Sequence, residues 1–145
     1  MRNAQRYPFS SADTALGEAG FRPYLSITLV NQKSSVPTSG LLDTGATVNV
    51  LPYPVGVELG YEWGQQTTAL SLTGNLAQYE ARVVVVQAVV GRFEPVQLVF
   101  AWTQAVSVPL ILGQVNFFME FDACFYRSQL QFEVSSKEVV SDEEG

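Results

Sequence analysis

Leu41-Leu42-Asp43-Thr44-Gly45-Ala46-Thr47-Val48-Asn49-Val50-Leu51-Pro52 is the stretch on which the fold of this chain turns. Asp, Thr and Gly are ordinary turn residues, so the triplet alone describes a β-turn in which Asp43 caps its own backbone. Its setting is more telling. Two leucines lead in and Val48-Asn49-Val50-Leu51 leads out. Asp43 is therefore expected on a tight loop between two apolar strands, where an ionised carboxylate needs a partner or a shifted pKa.

A second stretch further along, Val108-Pro109-Leu110-Ile111-Leu112-Gly113-Gln114-Val115-Asn116-Phe117-Phe118, carries apolar residues and a glycine into a short helical segment. By itself it reads as a strand-to-helix junction where Gly113 permits close packing.

Outward from these two points the pattern is that of strands. Residues 24–30 alternate and are β-branched, and 32–39 reads as a polar loop containing Pro37. Residues 48–51 form a short strand stopped by Pro52 and Pro54, and 55–61 a turn of helix or a loop. Residues 67–72 and 76–90 read as the arms of one long hairpin, its tip at Thr73, Gly74 and Asn75. Further strands follow at 96–102 and 109–112, and a helical turn at 114–119 with Val115 and Phe118 on one face. A terminal hairpin, 121–126 and 129–134, turns at Arg127-Ser128. The sum is an all-β domain with many short strands and one short helix. The expected organisation is a loosely ordered arm over 1–20, a domain over 21–135 and an acidic, disordered tail over 136–145.

Composition removes whole classes of chemistry. Apolar residues make up 47% of the chain, enough to build a core. Eight Lys and Arg are scattered without a basic patch and the net charge is −6, which argues against nucleic acid. Histidine is absent, which excludes Ser-His-Asp and Cys-His catalysis and removes the commonest transition-metal ligand. The single cysteine, Cys124, sits in an apolar stretch and is expected to be buried and inert. Residues 1–20 hold no apolar run, and the longest one, 83–90, is short and broken by Gln87. The expectation is a cytoplasmic protein without membrane contact and without a cofactor.

Taken in order, the Asp43-Thr44-Gly45-Ala46 loop, the hairpin, the Ile111-Leu112-Gly113 element and the short helix resemble the retropepsin family of single-domain aspartic peptidases. The likeness runs from about residue 24 to residue 134 and looks closer to cellular and bacterial-type members than to viral ones. It implies a closed β-barrel, one lobe of the acid protease fold, with a flap hairpin and a terminal strand that pairs between subunits. It implies Asp43 as the catalytic residue, and Thr44, Gly45 and Ala46 as the active-site loop, with Thr44 bonding across a dimer. Thr73, Gly74 and Asn75 would form the flap tip. Val48, Val50, Leu76 and Val108 are candidate walls of the substrate pocket, or plain core. Only one Asp-Thr-Gly loop is present, and Asp13, Asp122 and Asp142 stand in no such loop. A second carboxylate would then come from another copy about a two-fold axis. The function so implied is an endopeptidase acting on extended, largely apolar peptides as a homodimer. The alternative is a module of the same fold that binds peptides or proteins without cutting. The chain departs from the viral pattern at Thr47, Val48 and Gln114, where viral members place an acidic-to-Arg ion pair. A Thr47 to Gln114 hydrogen bond is the expected substitute.

Overall fold

A computed structural model describes residues 3–11, 14–72 and 74–137. The strands are β1 (Gln5–Pro8), β2 (Tyr24–Asn31), β3 (Ser34–Leu42), β4 (Asn49–Leu51), β5 (Ala69–Leu70), β6 (Ala81–Val89), β7 (Val96–Thr103), β8 (Leu110–Leu112), β9 (Phe121–Tyr126) and β10 (Gln131–Ser136). Two short α-helices, α1 (Tyr53–Glu58) and α2 (Phe117–Glu120), complete the frame with a few 3-10 turns.

Six strands close into a barrel in the order β2-β3-β8-β4-β7-β6, and an antiparallel pairing of β6 back onto β2, Thr28 opposite Val89, seals the ring. Closure removes the exposed edges that an open sheet would carry. Its interior follows from alternation along the strands. Leu25, Ile27 and Leu29 of β2 meet Val84, Val86 and Ala88 of β6 and Leu98, Phe100 and Trp102 of β7, all buried. No helix among the described residues is long and apolar enough to cross a membrane.

Several expectations are revised. Residues 32–39 are not a loop: β3 runs through Pro37, which lies opposite Thr28. Over residues 34–39 this strand has β2 on one side and, among the described residues, no strand paired on the other, so the missing N–H of proline is tolerated. The hairpin expected over 67–90 is much shorter. Only Ala69–Leu70 pairs with β6, and 74–76 is a 3-10 turn, Gly74 having φ +64°. A left-handed glycine followed by Asn75 favours a compact turn over an extended arm. Thr73 lies outside the described residues.

The arm expected to be loose contains β1, paired with β10 from Gln5↔Val134 to Pro8↔Gln131. Tyr7 stacks on Phe132 with ring centroids 5.4 Å apart, and that apolar contact together with the backbone ladder holds the segment. The terminal strand also differs from expectation. β10 is the middle strand of a three-stranded sheet, with β1 on one side and β9 on the other. Both its edges are occupied within one chain, so the edges left over belong to β1 and β9. Cys124, on β9, is half-buried and unpaired as a disulfide. Of the expected acidic tail, Ser136 belongs to β10 and Lys137 donates its N–H to the Glu120 carbonyl; 138–145 lie outside the described residues.

Candidate active site

The site arises from an interruption in strand order. β3 and β4 are consecutive in the chain, but β8 lies between them, parallel to β3 and touching β4 at Val50↔Ile111. The connection over residues 43–48 must therefore arch over the end of β8. Its first residue is tied there: Asp43 N–H donates to the Leu112 carbonyl at 3.0 Å. The turn then closes on itself through Ala46 N–H to the Asp43 carbonyl at 3.1 Å and Gly45 N–H to Asp43 Oδ1 at 3.0 Å. The reading of Asp43 as a residue that caps its own turn is thus true of one of its oxygens.

The chain leaving β8 passes beneath this arch. A Cβ on Gly113 would stand 2.6 Å from the Val48 carbonyl oxygen and 2.8 Å from that of Ala46, so only glycine fits. Residues 114 and 115 then lace the loop from below, with Gln114 N–H to the Ala46 carbonyl and Val115 N–H to the Thr47 carbonyl, both at 2.9 Å. The Gln114 side chain bonds the carbonyl of Thr44, Nε2 to O at 2.8 Å. That replaces the expected Thr47 to Gln114 contact: from its place under the arch the amide meets the backbone at 44, while Thr47 is held through its carbonyl.

Asp43 faces a cleft of about 420 Å³. Its lining includes Gly45, Ala46 and Thr47 of the loop, Val48 and Val50 leading into β4, Ser71, Leu72 and Leu76 from the excursion between β5 and β6, and Val108, Pro109 and Ile111 around β8. The structure thus brings Val48, Val50, Leu76 and Val108 to the same cleft as Asp43 and Gly45. Val50 is also part of a small apolar cluster with Leu72, Ala81 and Ala101. Asp43 is the one ionisable residue among those lining the cleft. Asp122 is on β9, outside that lining, and Asp13 and Asp142 are outside the described residues. Thr44 and Gly45 are exposed at the mouth of the loop.

Leu72 and Asn49 belong to the site's construction and were not singled out from the sequence, and Ile111 was named there only as part of the element before Gly113, not as a cleft wall. Leu72 and Ile111 were hidden because a strand residue facing a cleft and one facing a core have the same alternation. No group of three or more His, Cys, Asp or Glu among the described residues stands close enough to hold a metal.

Comparison with known proteins agrees with this geometry. The family model for aspartyl protease matches residues 28–115, which contain the Asp43 loop, the cleft walls and the β8 to Gly113 element. No curated protein matches the sequence. Among solved structures, a retropepsin-like aspartic protease from Rickettsia conorii superposes with a TM-score of 0.61 over 91% of each chain at 15% identity, a likeness of fold. With the family model covering more than half of its length, this chain belongs to the aspartyl protease family, and its fold is retropepsin-like.

Proposed function

We propose that the chain is an endopeptidase that cuts extended, largely apolar peptide segments as a homodimer, Asp43 of each copy supplying one carboxylate of the reacting pair. The observation that carries this reading is a lone carboxylate at an otherwise uncharged, mostly apolar cleft. The loop bearing it presents Thr44 and Gly45 outward, where a second copy can meet them.

Two carboxylates facing each other across a two-fold axis share one proton, the pattern the family is known for. The ionised Asp43 takes a proton from a water held between the two. The protonated Asp43 of the other copy polarises the scissile carbonyl. A tetrahedral diol forms without a covalent link to the enzyme, and a proton then passes to the leaving nitrogen. Thr44 would bond across the dimer, and Gly45 and Ala46 would keep the floor low enough for the peptide backbone. Thr73, Gly74 and Asn75 would lie at the tip of a flap, residues 71–80, that closes over the peptide and excludes water. This chemistry draws on side chains alone.

The test is cleavage of an apolar peptide library by the wild type and by Asp43→Asn from acid to neutral pH, with protein concentration varied across the dimer equilibrium. A loss of about three orders of magnitude in kcat/KM for the variant is expected. Specific activity should rise with protein concentration. Equal product from both proteins sinks the reading. Peptide binding without cleavage by the wild type would favour the non-catalytic module instead.

A further inference from the structure

Two amide side chains outside the cleft join the loop bearing Asp43 to the outer part of the barrel. Asn49 is fully buried, 0% exposed, at the start of β4. Its Oδ1 accepts from Gly113 N–H at 2.8 Å. Its Nδ2 donates to the Val99 carbonyl at 3.0 Å and to Asn116 Oδ1 at 3.1 Å. Asn116 Oδ1 also accepts from Val99 N–H at 2.9 Å, and Asn116 Nδ2 donates to the Gln97 carbonyl at 3.0 Å. The pair satisfies three backbone groups of β7 and one of Gly113.

Each amide sits at a joint. Asn49 follows the arch directly, and its own N–H donates to the Val115 carbonyl at 2.9 Å. Asn116 precedes α2, immediately after the residues that lace the arch from below. β7 lies between β4 and β6, and β6 receives the chain returning from the excursion at 71–80. One interlocked set of hydrogen bonds therefore fixes the Asp43 loop, the β8 exit and the sheet that carries the excursion in a single register. An apolar replacement leaves buried backbone groups unpaired, and an ionised one places a charge between acceptors. An amide offers a donor and an acceptor that no change of pH removes.

We propose that Asn49 and Asn116 are positioning residues for peptide hydrolysis: their amide pair holds the arch so that Asp43 keeps its place over the end of β8. This rests on Asp43 being the reacting carboxylate. Neither side chain lines the cleft, so the pair governs turnover at a formed site more than peptide affinity.

The full chain is assayed against an apolar peptide, with active sites counted by a statine-type inhibitor so that kcat refers to competent sites only. In Asn49→Asp one carboxyl oxygen still accepts from Gly113 N–H, while the other faces the Val99 carbonyl and Asn116 Oδ1. Only when protonated can it donate, and then to one of the two. The expected result is a kcat per site near the wild-type value at acid pH that falls by about tenfold, relative to wild type, as pH rises and the carboxyl ionises, with KM nearly constant. A kcat per site that tracks the wild-type pH curve overturns the proposal, whatever happens to thermal stability. Should Asn49→Asp yield no titratable sites, Asn116→Ser decides. It removes the donor to the Gln97 carbonyl and draws the acceptor back from Val99 N–H and Asn49 Nδ2, and kcat per site should drop about fivefold with KM held. An unchanged kcat per site in that variant also overturns the proposal. Asp43→Asn, run alongside, separates the two questions, because activity surviving there defeats the Asp43 reading without touching the amide pair's geometry.

Discussion

A single methyl group at residue 113 tests how the active-site loop is built. Gly113→Ala would place its Cβ 2.6 Å from the Val48 carbonyl oxygen and 2.8 Å from the Ala46 carbonyl oxygen. Both are backbone atoms of the arch and cannot rotate away. Overpacking of this kind costs about 1–3 kcal/mol. The same shift strains the Gly113 N–H to Asn49 Oδ1 bond, worth about 1 kcal/mol. Together they amount to a destabilisation of about 2–4 kcal/mol, which lowers the Tm of a domain this size by about 7–13 °C. The loop that must yield also bears Asp43, and a misplacement of about 1 Å costs roughly a hundredfold in rate. Differential scanning calorimetry gives the first quantity, and kcat per inhibitor-titrated site the second. Gly64→Ala is the control, since nothing stands within 4 Å of the point its methyl group would occupy. If Gly113→Ala melts within about 2 °C of wild type and turns over normally, the arch does not pack on Gly113 as described.

Two other perturbations probe the frame. Phe117→Ala removes a ring that is fully buried and stacked on Phe121 at 4.9 Å, and should cost about 3–5 kcal/mol by urea unfolding; a loss under about 1 kcal/mol contradicts that packing. Burial holds the Tyr61 hydroxyl above its ordinary titration range, and that hydroxyl donates to the Val85 carbonyl at 2.6 Å. The folded chain keeps this proton where the unfolded chain has lost it. The contribution is therefore complete below about pH 10 and disappears as pH rises through the folded value. Tyr61→Phe should flatten the alkaline decline in stability, measured by denaturant titration at several pH values, and an unchanged slope counts against it.

The Asp43 loop and the Leu112-Gly113 element were legible because each combines a local signal with a required order along the chain. Each stretch alone reads as an ordinary turn or junction; in this order they resemble the retropepsin pattern, and the absence of histidine only closes competing chemistries. Strand β3 was hidden by Pro37, whose reading as a loop signal fails where one side of the strand has, among the described residues, no strand paired to it. Strand β1 was hidden because Gln5-Arg6-Tyr7-Pro8 is polar and short, and its stability comes from Phe132 far away in sequence. The excursion at 71–80 was read as longer paired arms because apolar residues continue on both sides of Gly74, yet Leu72 and Leu76 serve the cleft instead of a ladder. Asn49 looked like one polar residue in a strand. Its partners, Gly113, Val99 and Asn116, are each some fifty or more positions away, and no local pattern announces such a bond.

The three-stranded sheet that joins β1 to β10 also fixes when the molecule can be finished. Gln5 pairs with Val134, so β1 is made more than a hundred residues before the strand it pairs with. Until residues 131–134 have left the ribosome, Tyr7 has no Phe132 to stack on and the ladder of β1 is unmade. Pairings of such sequence separation close slowly, since the loop entropy is lost before the contact is gained. The barrel, whose strands β2 to β8 come earlier, can be assembled before that clasp shuts. That order leaves β1 without its ladder at a stage when all the residues of the Asp43 loop have already been made.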